Sequence, residues 1–396
     1  MIISNMNKDQ QIKEILHRTV AEVIHPQNLL KKLKSHKRLR IKLGIDPTSQ
    51  NIHIGRAVVL RKLRAFQDLG HKAVLIIGDF TGQIGDTSDK DAERPMLTEK
   101  EVKSNLKNYL AQAFQILDKS KTEFYYNSKW LKKLGFAEIS NLANLFSVHE
   151  FIARENIKKR LDVGKRVSLR EILYPLMQGY DSIMVKADVE LGGTDQRFNM
   201  LAGRTIQQAL GLPAQDVVMV DLLEGIDGRK MSSSWGNTIN LSDKPSDMFG
   251  KVMSIDDKLI EKYFVFTTNL AIKEIEKILK VNQHPRDQKL ILAERVVALY
   301  YNDKQAQTAR ENFIKQFSKK ELPDDIKSVS VKSGKYLTTE LLVKLKLTTS
   351  KSEARRLLEQ SGVKVNQKTF TSKEIEIKQK NNLIIQVGKR KFVRIR

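Results

Sequence analysis

The amino-acid sequence predicts an α/β protein built on a doubly wound, Rossmann-like parallel sheet, followed along the chain by a helical segment and a small basic α/β module. Three observations carry this. Ala73-Val74-Leu75-Ile76-Ile77-Gly78 is an unbroken apolar run, the pattern of a strand covered on both faces. A strand, a helix and that apolar strand follow one another within residues 40–78, which makes one right-handed crossover unit. From 245 to 317 the strand signals stop and helical periodicity takes over.

The elements follow in order. Residues 8–37 read as helical, because Ile12, Ile15, Leu16, Val20 and Val23 recur at three- and four-residue steps. Arg40-Ile41-Lys42-Leu43-Gly44-Ile45 reads as a strand. A helix is expected from about Ile54 to Leu69, with Gly70 as its stop. A helical stretch at 98–118 and strands near 123–126 and 216–220 continue the alternation. In such a sheet, ligands bind beyond the carboxyl ends of the strands. Residues 270–279 and 288–301 are the clearest helices of the next segment. Residues 318–335 are polar, carry Pro323 and Gly334, and read as a linker. Ser350 or Ser352 can cap an amphipathic helix through Leu358, and Gly362-Val363-Lys364-Val365-Asn366 then turns into a hairpin. The expected division is 1–244 for the sheet domain, 245–318 for the helices, 319–335 for the linker and 336–396 for the basic module.

Composition narrows the function. The chain of 396 residues is 40% hydrophobic and 29% charged, long enough for two or three domains with cores of their own. No stretch approaches the roughly 20 apolar residues of a membrane span, and the start lacks the basic-then-apolar order of a secretion signal. Without cysteine there is no disulfide, thiolate metal site or cysteine nucleophile, and a reducing, cytoplasmic home fits. The net charge is +24, of which +12 falls in residues 319–396. A solvated basic surface would be more uniform, so the skew points to a polyanionic partner.

Two segments carry phosphate chemistry. Pro47-Thr48-Ser49-Gln50-Asn51-Ile52-His53-Ile54-Gly55-Arg56 lies where a strand becomes a helix. Backbone N–H groups and the helix dipole stabilise phosphate there, Gly55 permits close approach, and His53 can donate to a phosphate gaining charge. Lys230-Met231-Ser232-Ser233-Ser234 follows a glycine-bearing loop, and its lysine and hydroxyls suit a departing pyrophosphate. Between them, Tyr174, Gln178 and Asp181 are spaced i, i+4, i+7 and share one helical face. Interleaved apolar residues suggest burial, where three polar groups need something to bind.

In this order the two segments resemble the nucleotide-binding signatures of class I aminoacyl-tRNA synthetases. Gly44-Ile45-Asp46-Pro47-Thr48, Gly85-Asp86, Tyr174-Pro175-Leu176-Met177-Gln178-Gly179-Tyr180-Asp181 and Gly192-Gly193-Thr194-Asp195-Gln196 lie between them. Together they resemble the bacterial tyrosyl-tRNA synthetases, over nearly the whole chain. That resemblance implies a tyrosine–tRNA ligase, which forms tyrosyl-adenylate from L-tyrosine and ATP and transfers tyrosine to the 3′-terminal adenosine of tRNA(Tyr). It implies a homodimer, with Mg²⁺ bound through the ATP phosphates and no metal held by the chain itself. Asp46, Thr48, His53, Gly55, Arg56, Gly193 and Asp195 would bind ATP with Lys230, Met231, Ser232, Ser233 and Ser234. Among these His53, Arg56, Lys230 and Ser233 would serve catalysis. Asp86, Tyr174 and Gln178 would meet the tyrosine α-amino group, Asp181 the phenol, and Thr81 and Gln196 would complete that pocket. The basic module resembles a fold shared with a ribosomal small-subunit protein, placing Arg355, Arg356 and Lys364 on RNA.

Three positions depart from the family pattern. Arg56 and Ser233 replace a usual histidine and a frequent lysine. Lys90, Arg94 or Arg229 could supply the charge missing from the second segment. Lys42 stands where many relatives place a tyrosine on the substrate phenol, which shifts discrimination toward Asp181. A paralogue that has lost catalysis and acts as an RNA-binding protein is the alternative reading.

Overall fold

The computed structural model describes residues 6–88, 92, 96–318, 326–377, 383–388 and 391–395. It separates into two compact units, Met1–Arg310 and Glu311–Arg396.

The first unit is organised on six strands: β1 (Val20–Ile24), β2 (Arg40–Ile45), β3 (Lys72–Ile77), β4 (Thr122–Tyr126), β5 (Val189–Gly193) and β6 (Asp216–Val220). Their order is β1-β6-β5-β2-β3-β4. Five of them run parallel, and β1 pairs antiparallel with β6, Val20 opposite Val220. The order reverses beside β2, which has β3 on one edge and β5 on the other. Ligands bind at such a switch point. The helix Ile54–Asp68 packs on β2, β3 and β5, and Arg197–Ala209 packs on β5 and β6. Ile41, Leu43, Val74, Leu75, Val189, Val217 and Val218 are buried between layers.

Two sequence expectations are corrected. Residues 8–37 are not one helix: Lys8–His17 and Pro26–Lys34 are helical, and β1 lies between them. Thr19 and His25 take φ of 59° on either side of β1, a left-handed backbone that ends a helix. The β-branched Val20, Val23 and Ile24 then find a strand partner in β6, and tertiary pairing overrides the helical period. The stretch 98–118 is likewise divided into Glu99–Leu106 and Tyr109–Ala113. Beyond the sheet, Pro245–Met253 and Ile260–Thr267 pack on Pro285–Tyr300, within the same compact unit as the sheet.

The second unit holds a five-stranded sheet, ordered β10-β9-β12-β13-β7, and a two-stranded ribbon, β11-β8. Its strands are β7 (Ser328–Val329), β8 (Gly334–Leu337), β9 (Val363–Val365), β10 (Lys368–Thr369), β11 (Glu374–Ile377), β12 (Leu383–Val387) and β13 (Lys391–Ile395). Part of the expected linker is therefore strand, since β7 pairs parallel with β13; residues 319–325 lie outside the described ones. Ser350 caps the helix Lys351–Glu359 by accepting from Glu353 N. Leu341, Leu342, Ala354, Val363, Ile385 and Ile395 form a core of this unit's own.

One close approach sets the inner helix spacing. A Cβ on Gly179, in the helix Leu169–Met184, would stand 3.1 Å from Gly203 N and 2.7 Å from Ile206 Cδ1. Helix propensity favours alanine over glycine by about 1 kcal/mol, whereas overpacking costs about 1–3 kcal/mol. Gly179→Ala is therefore expected to destabilise the protein by about 1 kcal/mol. Urea unfolding checks this; an unchanged or raised midpoint contradicts it.

Candidate active site

The carboxyl ends of β2, β3, β5 and β6 open into a cavity of about 230 Å³. β2 and β3 end close together beside it. A Cβ on Gly78 would stand 1.9 Å from Asp46 Oδ1, so only glycine lets β3 end here. Asp46 accepts from Thr81 Oγ1 at 2.7 Å and from the Tyr174 hydroxyl at 2.8 Å. Asn127 Nδ2 donates to Thr81 Oγ1 at 3.0 Å. Two strands, a turn and the helix Leu169–Met184 are thus tied around one carboxylate. That helix starts from a capping box in which Ser168 and Glu171 satisfy each other's backbone N–H groups.

Asp181 lies at the deep end, 3% exposed. Burial pushes its carboxyl up to about 7, against the opposing pull of Lys42 and of hydrogen bonds from Trp130 and Asn127. Trp130 Nε1 donates to Oδ1 at 2.7 Å, and Asn127 Nδ2 to Oδ2 at 3.2 Å. The arrangement can accept a hydrogen bond from a buried hydroxyl. Tyr174, further along the same face, is held neutral by burial and by nearby Asp46. Gln178 lines the cavity too, and its Nε2 donates to Glu190 Oε1 at 3.1 Å. Lys42 does not reach the cavity. It is wholly buried, and its ammonium donates to Glu190 Oε1, Ser182 Oγ and the Gln178 carbonyl at 2.7–2.8 Å. All three of its hydrogens are engaged, leaving none for a ligand phenol.

At the other end, His53 is the N-cap of the helix Ile54–Asp68 and its Nδ1 accepts from Arg56 N at 3.2 Å. Burial, with Arg56 and Lys230 nearby, lowers its pKa to about 3. A neutral ring that accepts at Nδ1 carries its hydrogen on Nε2. Arg56 donates to Tyr109 Oη at 3.0 Å and to Thr48 Oγ1 at 2.9 Å. Lys230 Nζ pairs with Asp195 Oδ2 at 2.9 Å, and Gln196 Nε2 donates to Asp86 Oδ2 at 2.6 Å. The His53 Nε2–H, Arg56 and Lys230 can receive a polyphosphate.

Asp46, Thr48, His53, Gly55, Arg56, Thr81, Asp86, Tyr174, Gln178, Asp181, Gly193, Asp195, Gln196, Lys230, Met231 and Ser232 all line this one cavity. Ser233 and Ser234 are outside its lining, exposed on the loop; Ser233 Oγ touches Ser49 Oγ at 3.3 Å. Arg229 pairs with Asp227 and stacks on Trp235, 4.8 Å from the ring. Lys90 and Arg94 lie outside the described residues. Arg355, Arg356 and Lys364 are exposed on the second unit. Sequence reasoning missed Asn127, Trp130, Tyr109 and Glu190. The first two follow β4 on a segment with no motif, where only an amide and an indole near a strand end offered a signal. Among the described residues no group of three or more His, Cys, Asp or Glu could hold a metal ion. Nor, among them, is any helix long and apolar enough to cross a membrane.

A family profile described as tRNA synthetases class I (W and Y) matches residues 33–318, and one described as a Tyrosine--tRNA ligase SYY-like C-terminal domain matches residues 318–395. A tyrosine–tRNA ligase of Thermotoga maritima is 44% identical over 395 residues, 98% of each chain. The chain belongs to the tyrosyl-tRNA synthetase family. Tyrosine–tRNA ligase 2 of Clostridium acetobutylicum is 46% identical over 399 residues, covering 98% of this chain and 99% of that one. Among solved structures, the tyrosyl-tRNA synthetase of Archaeoglobus fulgidus, crystallised with L-tyrosine, shares the fold. Its TM-score is 0.61 at 20% identity, over 77% of this chain and all of that one. As a member of the tyrosyl-tRNA synthetases the chain is a ligase whose partners are tyrosine, ATP and tRNA. The match over both units favours this over an RNA-binding paralogue without catalysis.

Asp181 gives this synthetase a testable pH signature. A carboxyl raised from 3.8 to about 7 binds its proton more tightly folded than unfolded. Its contribution therefore falls as pH rises through roughly 4–7. His53, lowered from 6.5 to about 3, acts oppositely and loses stability as pH falls through that window. Asp181→Asn removes only the first effect, so the variant's melting temperature relative to wild type should climb between pH 4 and pH 8. A difference that stays flat across this range argues against the buried, protonating carboxyl.

Proposed function

We propose that this cavity performs the two-step tyrosylation of tRNA(Tyr), with tyrosine at the Asp181 end and ATP at the His53 end. The carrying observation is that one cavity joins Asp181 and Gln178 to His53, Arg56 and Lys230. Asp181 accepts a hydrogen bond from the phenol; a substrate without that hydroxyl takes this third donor away from a buried carboxyl, which is costly. Asp86, Gln178 and the oxygen of Tyr174 surround the α-ammonium, with Thr81 and Gln196 completing the pocket. The tyrosine carboxylate attacks the α-phosphorus of ATP and pyrophosphate leaves. The ribose hydroxyl of the terminal adenosine then attacks the acyl-adenylate carbonyl, releasing AMP. No protein nucleophile is needed, and catalysis comes from positioning and charge stabilisation.

His53 donates from Nε2 to phosphate without adding charge. Arg56, a permanent cation, grips phosphate from a position braced by Thr48 and Tyr109. Lys230 exchanges Asp195 for the β- and γ-phosphates, which frees Asp195 for the ribose. Thr48, Gly55, Gly193 and Met231 shape the nucleotide site, and Ser232, Ser233 and Ser234 close over the pyrophosphate. Mg²⁺ held by the ATP phosphates would offset part of their charge alongside Arg56 and Lys230. Arg355, Arg356 and Lys364 meet tRNA phosphates, contacts that position without reading bases. The lack of cysteine suits the cytoplasm.

A homodimer is part of this proposal. Phe136, Val148, Val163 and Leu169, all within residues 136–169, are 87%, 71%, 67% and 77% exposed, and this segment is assigned to the interface. Phe136→Glu with Leu169→Glu is expected to convert dimer to monomer in sedimentation velocity; an unaltered sedimentation coefficient places the interface elsewhere.

ATP–pyrophosphate exchange tests the chemistry. Tyrosine should support it while tryptophan and phenylalanine do not, and the same enzyme should load tRNA(Tyr). Lys230→Ala should slow exchange about 10²–10³-fold, the worth of one transition-state contact, and move the tyrosine KM less than about twofold. An undiminished exchange rate removes Lys230 from the mechanism.

A further inference from the structure

Behind the proposed tyrosine pocket lies a closed polar network with no ligand contact of its own. Lys42 on β2 and Glu190 on β5 are register neighbours in the parallel sheet. They are 0% and 1% exposed, 2.8 Å apart. Glu190 Oε1 takes both the Lys42 ammonium and Gln178 Nε2 at 3.1 Å. Its Oε2 takes Gln215 Nε2 and, at 3.3 Å, Ser182 Oγ. The helix Arg197–Ala209 makes room with a glycine: a Cβ on Gly203 would stand 2.7 Å from Gln215 Nε2 and 3.5 Å from Glu190 Oε2.

An ionised carboxylate only accepts hydrogen bonds. It therefore decides which way the Gln178 amide faces. With Nε2 held by Glu190, the group that Gln178 offers to the cavity is its Oε1. The reversed amide would set two acceptors against each other in a dry interior, where an unmet polar group is expensive. Lys42, 2.8 Å from Oε1, is the charge partner of that carboxylate.

We infer that the Lys42–Glu190 pair is a positioning device for ammonium recognition: it locks Gln178 as an acceptor toward the cavity, and so selects ligands bearing a protonated α-amine. This rests on the tyrosine pocket proposed above. Lys42 and Glu190 are positioning residues, which act through Gln178 and touch no substrate.

The test uses Lys42→Met combined with Glu190→Gln, a neutral replacement of similar volume in which the introduced amide can present either its oxygen or its nitrogen. Two ligands are compared by pyrophosphate exchange: tyrosine as substrate, and 3-(4-hydroxyphenyl)propionate, which lacks the amine, as competitive inhibitor. The tyrosine KM should rise about tenfold, the worth of one hydrogen bond to a charged group. The Ki of the propionate and the KM for ATP should stay within about twofold. Equal weakening of both ligands means general loosening of the pocket and overturns the inference, as does an unchanged tyrosine KM. Wild-type enzyme with no tyrosine-dependent exchange would instead refute the pocket assignment itself. Should the variant not fold, neutron diffraction of wild-type crystals with bound tyrosine decides. Deuterium on the Gln178 nitrogen facing Glu190 supports the lock, and deuterium facing the substrate ammonium ends it.

Discussion

The buried ion pair between Lys42 and Glu190 is the constraint on which the site depends. It sits where the strand order turns from β5 to β2, and neither charge sees water. Such a pair is held by its geometry: removing one partner leaves an unmatched charge and costs about 3–5 kcal/mol. Every hydrogen of the ammonium and both oxygens of the carboxylate are engaged. The sheet seam and the helix Leu169–Met184 are therefore fixed at one point, behind the cavity.

The two ends of the cavity use burial in opposite senses. Asp181 is desolvated until its carboxyl titrates near neutrality, which makes a hydroxyl partner valuable. His53 is desolvated until it stays neutral, so it brings a donor to the nucleotide end while the positive charge comes from Arg56 and Lys230. Asp46, between them, accepts from Thr81 and Tyr174. It holds the two ends in one frame.

Much of this was legible in the chain because its signals are local. The apolar run of β3, the strand–motif–helix sequence through His53 and the i, i+4, i+7 spacing of Tyr174, Gln178 and Asp181 each carry their geometry within a few residues. The rest was hidden because it is decided by partners far along the chain. Val20 and Val23 fit a helical period, and only β6, some 200 residues later, makes them a strand. Lys42 stood out as an odd residue, but its role is set by Glu190, 148 residues away. Asn127 and Trp130 reach Asp181 from a segment with no recognisable pattern. Ser233 belongs to the most distinctive motif, yet it is on the exposed part of the loop.

The pairing of β1 with β6 also has a consequence for the protein's birth. Val20 and Val220 are register partners, so β1 leaves the ribosome long before its neighbour in the sheet exists. At about 5–20 residues per second, that strand waits on the order of 10–40 s. Its nascent edge is guarded in the meantime by its own sequence: Glu22 interrupts the apolar residues, and the left-handed turns at Thr19 and His25 keep the strand to five residues. Short, charged edges are poor templates for association. The first strand of this sheet is thus the last of its six to be paired, and its brevity protects the chain until β6 arrives.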